Sequence, residues 1–153
     1  MDNLSELIYL LSNRDLDKNE AISIADAARA TVDSGEFDWI DDDERQLMFS
    51  VEDQLSDWFA VSDKIDELHE QLYDWFSDPP LLPFPHDLDP LAYFDWLDNL
   101  LAKRPKGNYE LLRLDNGVDD NIHAVLVRRA DTPRILELCK TLGFRVYPAN
   151  SAT

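Results

Sequence analysis

The chain has 153 residues, with 32 Asp/Glu against 14 Lys/Arg and a net charge of −18, a balance that nucleic-acid phosphates would repel. Its 44 % hydrophobic content and its 7 Phe, 5 Tyr and 4 Trp are enough for a core, which excludes acidic disorder. One cysteine, Cys139, forms no intramolecular disulfide, and no stretch reaches the ~20 apolar residues of a membrane span.

Residues 1–104 read as four to five helices. Leu4, Leu7, Ile8 and Leu11 fall on one face of a first helix. Asp17 and Glu20 form a capping box for a second. It carries the stripe Ala21, Ile22, Ala25, Ala28 and Val32, with Gly35 as its stop. Asp41, Asp42, Asp43 and Glu44 open a third helix, where negative charge complements the helix dipole. Leu47, Val51, Leu55, Trp58 and Phe59 share a helical spacing. Ser62 is expected to cap a continuation through Ile65, Leu68 and Leu72 to Trp75 or Phe76, as a separate helix or a bend of the same one. Residues 77–90 hold five of the eight prolines and predict a rigid extended connection pinned by Leu81, Leu82 and Phe84. Asp89-Pro90 is a cap and first-turn pair for a helix carrying Leu91, Phe94, Leu97, Leu100 and Leu101, stopped by Pro105.

After Gly107 the period changes from helix to strand. Tyr109 to Leu114 and Ile122 to Arg128 predict two strands, with a hairpin turn at Asn116-Gly117. Thr132-Pro133 predicts a helix cap and first turn. Ile135, Leu136, Leu138, Cys139 and Leu142 form that helix's apolar face, Gly143 its stop, and Phe144 to Tyr147 a last strand. The expected fold is one α+β domain over 1–153: an acidic helical part, 1–104, packed on a β-β-α-β unit, 105–153.

The run YELLRLDNGVDDNIHAVLVRR, followed by TPRILELCKTLGFRV, resembles the C-terminal unit of a group of small, uncharacterised bacterial α+β proteins. The resemblance covers roughly the last 45 residues. It implies a bacterial source and an α+β fold, and it carries no activity with it.

Charge divides along the chain. Residues 1–100 hold 26 acids and 5 bases, a balance of −21; residues 101–153 hold 6 acids and 9 bases, a balance of +3. Concentrated like charge destabilises a compact fold, so it calls for a positive partner, for solubility or for salt adaptation. Salt adaptation would spread acid along the whole chain, and the mildly basic C-terminal third counts against it. Lys103, Arg104, Lys106, Arg113, Arg128, Arg129, Arg134, Lys140 and Arg145 are better read as internal neutralisers of the acidic helices than as a phosphate patch.

Every tryptophan follows an aspartate: Asp38-Trp39, Asp57-Trp58, Asp74-Trp75 and Asp95-Trp96. The simpler arrangement places each Trp at the edge of an apolar helix face, with Asp on the wet side. The functional one is an acidic-aromatic binding surface, in which Trp anchors and Asp supplies charge complementarity. Trp39, ahead of the third helix and not inside one, is the best exposed anchor. The candidate partner-binding set is Asp38, Trp39, Asp41, Asp42, Asp43, Glu44, Asp53, Asp57, Asp66, Glu67, Glu70 and Asp74.

Catalytic and metal patterns are weak. The acidic run lacks the alternation and Gly of a calcium loop, and residues 115–120 lead to Leu126 where such a loop needs Glu. His69-Glu70 is followed by Tyr73 and not by a second His, and no phosphate-binding glycine loop or nucleophile elbow occurs. Cys139 is expected to be a packed thiol. No cofactor, metal or catalytic residue is expected, although 32 acids leave a small metal-dependent enzyme with paired carboxylates as an alternative. The N-terminus lacks the basic region of a signal peptide, and with the lone cysteine this predicts a cytoplasmic location with no membrane partner. Small acidic bacterial chains without catalytic motifs resemble the immunity proteins of toxin–immunity pairs, and that resemblance implies occlusion of a basic cleft. A DNA mimic that inhibits a DNA-binding, restriction or defence protein is the other binding alternative.

Overall fold

The computed structural model describes residues 1–73, 89–102 and 108–151. In chain order it comprises α1 (Asn3–Leu11), α2 (Lys18–Asp33), α3 (Asp43–Gln54), a 3-10 turn (Ser56–Trp58), β1 (Phe59–Ser62), α4 (Ile65–Tyr73), α5 (Pro90–Ala102), β2 (Tyr109–Leu114), β3 (Ile122–Arg128), a second 3-10 turn (Arg129–Asp131), α6 (Thr132–Leu142) and β4 (Val146–Pro148). Helices dominate the N-terminal part and strands the C-terminal part, an α+β fold. No helix among the described residues is long and apolar enough to cross a membrane.

Local chemistry sets the helix ends as the sequence implies. Asp17 Oδ1 accepts from the Glu20 N–H at 2.8 Å while Glu20 Oε1 accepts from the Asp17 N–H at 3.1 Å, closing the capping box of α2. Asp89 Oδ1 accepts from the Ala92 N–H at 2.8 Å at the start of α5. Gly143 ends α6 at φ +78°, a conformation that side chains resist. At α6 the capping position belongs to Asp131 and not to Thr132, which is already helical; the Asp131 carboxylate is occupied by Arg14 at 2.8 Å.

The sheet is antiparallel throughout, in the order β1-β3-β2-β4. Alternation of side chains divides it into two buried faces. Phe59, Leu112, Leu114, Val125 and Val127 meet α1, α2, α3 and α6, where Leu4, Leu7, Ile8, Leu55 and Ile135 are wholly buried. Ala60, Leu111, Ala124 and Leu126 meet α4 and α5, with Leu68, Tyr93, Phe94 and Leu101 beneath them. Each such aliphatic side chain stabilises the fold by about 1.5–3 kcal/mol.

β1 corrects the reading of residues 1–104 as helical throughout. Phe59 belongs to a strand paired with β3, Phe59 opposite Val125 and Ser62 opposite Ile122, so the C-terminal unit borrows a fourth strand from the acidic half. The chain between α3 and α4 is thus a strand and not a bend. Leu91, expected on the apolar face of α5, is 47 % exposed, and Ile22 lies outside the α2 stripe, where Ala21, Ala25 and Ala28 are buried. The β2–β3 connection is longer than a tight hairpin: Leu114 pairs with His123, and only Gly117 of the Asn-Gly pair takes a positive φ, +67°. The expected extended run 77–88, the Asp74-Trp75 pair and Pro105 lie outside the described residues.

The expected internal neutralisation is visible between layers. Arg134 of α6 binds Glu6 of α1 at 2.6 Å, and Arg129 reaches Asp98 of α5 at 2.7 Å and Glu110 at 3.5 Å.

Candidate functional site

The acidic segment ahead of α3 is shaped by its apolar residues. Gly35, at φ +83°, leads out of α2 into successive turns. In them the Asp38 N–H donates to the Gly35 carbonyl at 3.2 Å and the Ile40 N–H to the Phe37 carbonyl at 3.0 Å. Phe37 and Ile40 are buried, and Gln46 Nε2 donates to the Ile40 carbonyl at 2.8 Å. Trp39, between these two anchors, has nowhere to go but outward. Its ring meets Phe49 edge-on at 5.7 Å between centroids, and Phe49 meets Phe37 edge-on at 5.0 Å. One edge of the indole is therefore fixed while the side chain stays 62 % exposed.

The acids around Trp39 divide by role. Asp42 caps α3, its Oδ1 accepting from the Glu44 N–H at 2.8 Å. Glu44 lies over Gly143, where an added Cβ would collide with its carboxylate. Asp38, Asp41 and Asp43 are exposed and make no ion pair or side-chain hydrogen bond among the described residues. Arg45 packs its guanidinium on Gly117, about 3.1 Å from where a Cβ would stand, which brings the β2–β3 loop against α3. Exposed Asp115, Asp119 and Asp120 of that loop thereby join this side of the molecule, with Arg145 offsetting Asp115 at 3.7 Å.

The other predicted acids that the structure describes are exposed but belong elsewhere. Asp53 lies in the last turn of α3 and Asp57 sits in the 3-10 turn; Asp66, Glu67 and Glu70 line α4, in the opposite helical layer. Glu67 accepts from Ser62 Oγ at 2.8 Å and contacts Lys64 at 3.8 Å. No hydrogen bond or ion pair joins the two groups among the described residues. Asp74 lies outside the described residues. Trp58 and Trp96 fit the simpler arrangement: both are half-buried at core edges, and Trp58 Nε1 donates to Asp15 at 3.3 Å.

Sequence reasoning missed a buried charged cluster. His123, 5 % exposed, has Glu52 Oε1 2.6 Å from Nδ1 and Asp119 Oδ1 2.7 Å from Nε2. The Glu52 contact is a charge contact more than an aligned hydrogen bond, whereas Asp119 also accepts from the Asn121 N–H at 2.9 Å. Burial alone would lower the imidazole pKa; the two carboxylates outweigh it and raise it to about 9. Burial would likewise raise Asp119, yet His123 and Asn121 hold it below the usual carboxylate range. With a carboxylate on each ring nitrogen, the charged imidazolium is favoured and no ring lone pair is left to act as a general base. The cluster ties α3 to β3 and to the β2–β3 loop. The carboxylates flank opposite nitrogens and do not converge, and no metal-like group of His, Cys, Asp and Glu occurs among the described residues.

The second described histidine, His69, is buried against α5, with Nδ1 2.8 Å from Tyr93 Oη. Burial pushes its pKa down against the opposing charge of Glu70. Cys139 is 1 % exposed on the inner face of α6, and burial pushes its thiol up to about 12, the reverse of nucleophile activation. No protein-family model, curated protein or solved structure matches the chain.

Proposed function

We propose that this chain is a non-enzymatic acidic binding protein that neutralises a basic protein, and that it serves as a bacterial immunity protein occluding the active cleft of a toxin that acts in the cytoplasm. The observation that carries the reading is Trp39: an exposed indole, braced on one edge by Phe49 and set among the carboxylates of Asp38, Asp41 and Asp43, which have no ion-pair partner among the described residues. A cleft that holds nucleic-acid phosphates is basic, and such a surface can take the place of its substrate. Long-range attraction speeds the encounter and the desolvated aromatic slows release.

The test begins with capture of the partner from the native host and mass spectrometry, followed by surface plasmon resonance. Asp38→Asn/Asp41→Asn/Asp43→Asn leaves the Asp42 cap and the Glu44 contact in place. It should slow association at low salt, and the difference should shrink as salt rises, because screening reaches ~8 Å at physiological ionic strength. Trp39→Ala should act on dissociation, by about 2 kcal/mol or more. Wild-type association by the triple variant at low salt would remove this surface from recognition and return the charge to solubility or salt adaptation. A captured DNA-binding or restriction protein would move the reading to the DNA-mimic class.

A further inference from the structure

We propose that Gln71 is a surrogate strand: its carboxamide closes the free edge of β1, which would otherwise pair with β1 of a second copy of this chain. Among the described residues β1 is a terminal strand of the sheet, bound to β3 on one side only. Backbone groups of successive strand residues alternate between the two sides, and an unpaired edge is a template for strand addition. Here three of the outward groups are taken. The Val61 N–H donates to Gln71 Oε1 at 3.0 Å, and Gln71 Nε2 donates to the Val61 carbonyl at 2.9 Å. The Phe59 N–H donates back to the Ser56 carbonyl. A primary carboxamide has one acceptor and donors on a single planar group, so it reproduces what one residue of a neighbouring strand would offer while presenting no further edge. At the opposite edge of the sheet, β4 ends in Pro148, which has no N–H to offer.

Removing the carboxamide would expose the Val61 donor and acceptor beside an apolar side chain that is already 37 % exposed. A second copy fits that edge because two antiparallel β1 strands related by a two-fold axis place Val61 against its own mate, a self-complementary contact. The charge of −18 opposes the approach, so the edge is tested where charge is screened.

The experiment is sedimentation velocity of full-length wild type, Gln71→Ala and Gln71→Met over a hundredfold range of concentration in 1 M sodium chloride, where screening falls to about 3 Å. Gln71→Met keeps the aliphatic stem of α4 and removes only the amide. Both variants should associate with a dissociation constant at least tenfold lower than that of wild type, and at concentrations where they remain monomeric the Val61 amide should exchange faster than in wild type. Adding Val61→Lys to Gln71→Met should abolish the gain, because a lysine on an edge strand repels its mate. Folded variants that sediment as wild type overturn the proposal whatever the exchange shows. So does association that Val61→Lys leaves intact, and so does unfolding of both variants, which would give Gln71 the task of holding α4.

Discussion

Stability should fall between neutral and alkaline pH because of His123. The imidazole rises from its ordinary 6.5 to about 9 between the Glu52 and Asp119 carboxylates. A pKa raised on folding contributes stability that is complete below the unfolded value and disappears as pH climbs through the folded one. The contribution is therefore intact below 6.5, declines from there, and is spent above about 9. Its size, at about 1.4 kcal/mol for each pKa step, is on the order of 3 kcal/mol. That is a large part of the 5–15 kcal/mol typical of a small domain. The window stops short of the other buried acids: Cys139, pushed up to about 12, begins to favour the unfolded chain only above its ordinary 9, and Tyr93 only above 10. Urea unfolding followed by circular dichroism at half-unit steps from pH 6 to 9 measures the decline, and an NMR titration of the His123 ring locates the pKa. Glu52→Gln should lower that pKa and flatten the curve. Asp119→Asn should do so less, since Asp119 is the more exposed carboxylate, at 39 % against 10 % for Glu52. A wild-type curve flat over this range, or a His123 pKa at or below 6.5, would refute the argument.

His69 should act in the opposite direction: its pKa is depressed by burial, so its contribution is complete above 6.5 and lost as pH falls, and His69→Gln should reduce the acid sensitivity of the melt between pH 6.5 and 5. Gly143→Ala should cost about 1–3 kcal/mol in urea unfolding, because φ is +78° and the new methyl meets Glu44; adding Glu44→Ala should recover only the collision part. Cys139 should react slowly with a thiol reagent in the native state and rapidly in denaturant; fast native labelling would mean that α6 does not bury it. Residues 1–104 alone should give a molten or aggregating fragment, since β1 would lose its partner β3; a cooperative melt and a dispersed NMR spectrum from that fragment would refute this.

The sequence was readable where apolar runs are bounded by turn signals. Tyr109–Leu114 and Ile122–Arg128 match the structure end to end, because each is a short, largely apolar run between turn-rich stretches, the pattern of a strand buried on both faces. β1 was hidden by the same rule. Leu55 and Phe59 continue the four-residue spacing of Val51, so the helical period of α3 runs on past its real end, and four residues are too few to display a period of two. The strand exists because β3 supplies its partner, which local sequence does not encode. At the candidate site, the exposure of residues 38, 39 and 41–44 follows from their place before a helix start. The contacts of Arg45 with Gly117 and of Glu44 with Gly143 join segments some 70 to 100 residues apart and leave no local trace. The charged cluster had one faint signal, Asp119 four residues before His123, and a second in Glu52 beside core residue Val51.

How a chain of this charge stays folded follows from where its bases stand. Arg134, Arg129 and Arg14 each bind an acid of a different element: Glu6 in α1, Asp98 in α5, and Asp131 before α6. The positive charge is used to join helices to the sheet and to one another, and His123 adds one more cation inside, between α3 and the β2–β3 loop. Placed at these joints, cations lower self-repulsion where layers must approach, and they leave some outer acids of the first hundred residues without an ion-pair partner among the described residues. Asp38, Asp41 and Asp43 are such acids, and they stand beside an indole that the fold holds outward by burying Phe37 and Ile40. Solubility alone would be served by the carboxylates and not by the tryptophan, whose exposure in water is unfavourable. The two together are what a basic partner with an apolar spot would recognise, and for that reason the mutational test separates charge from aromatic through association and dissociation rates.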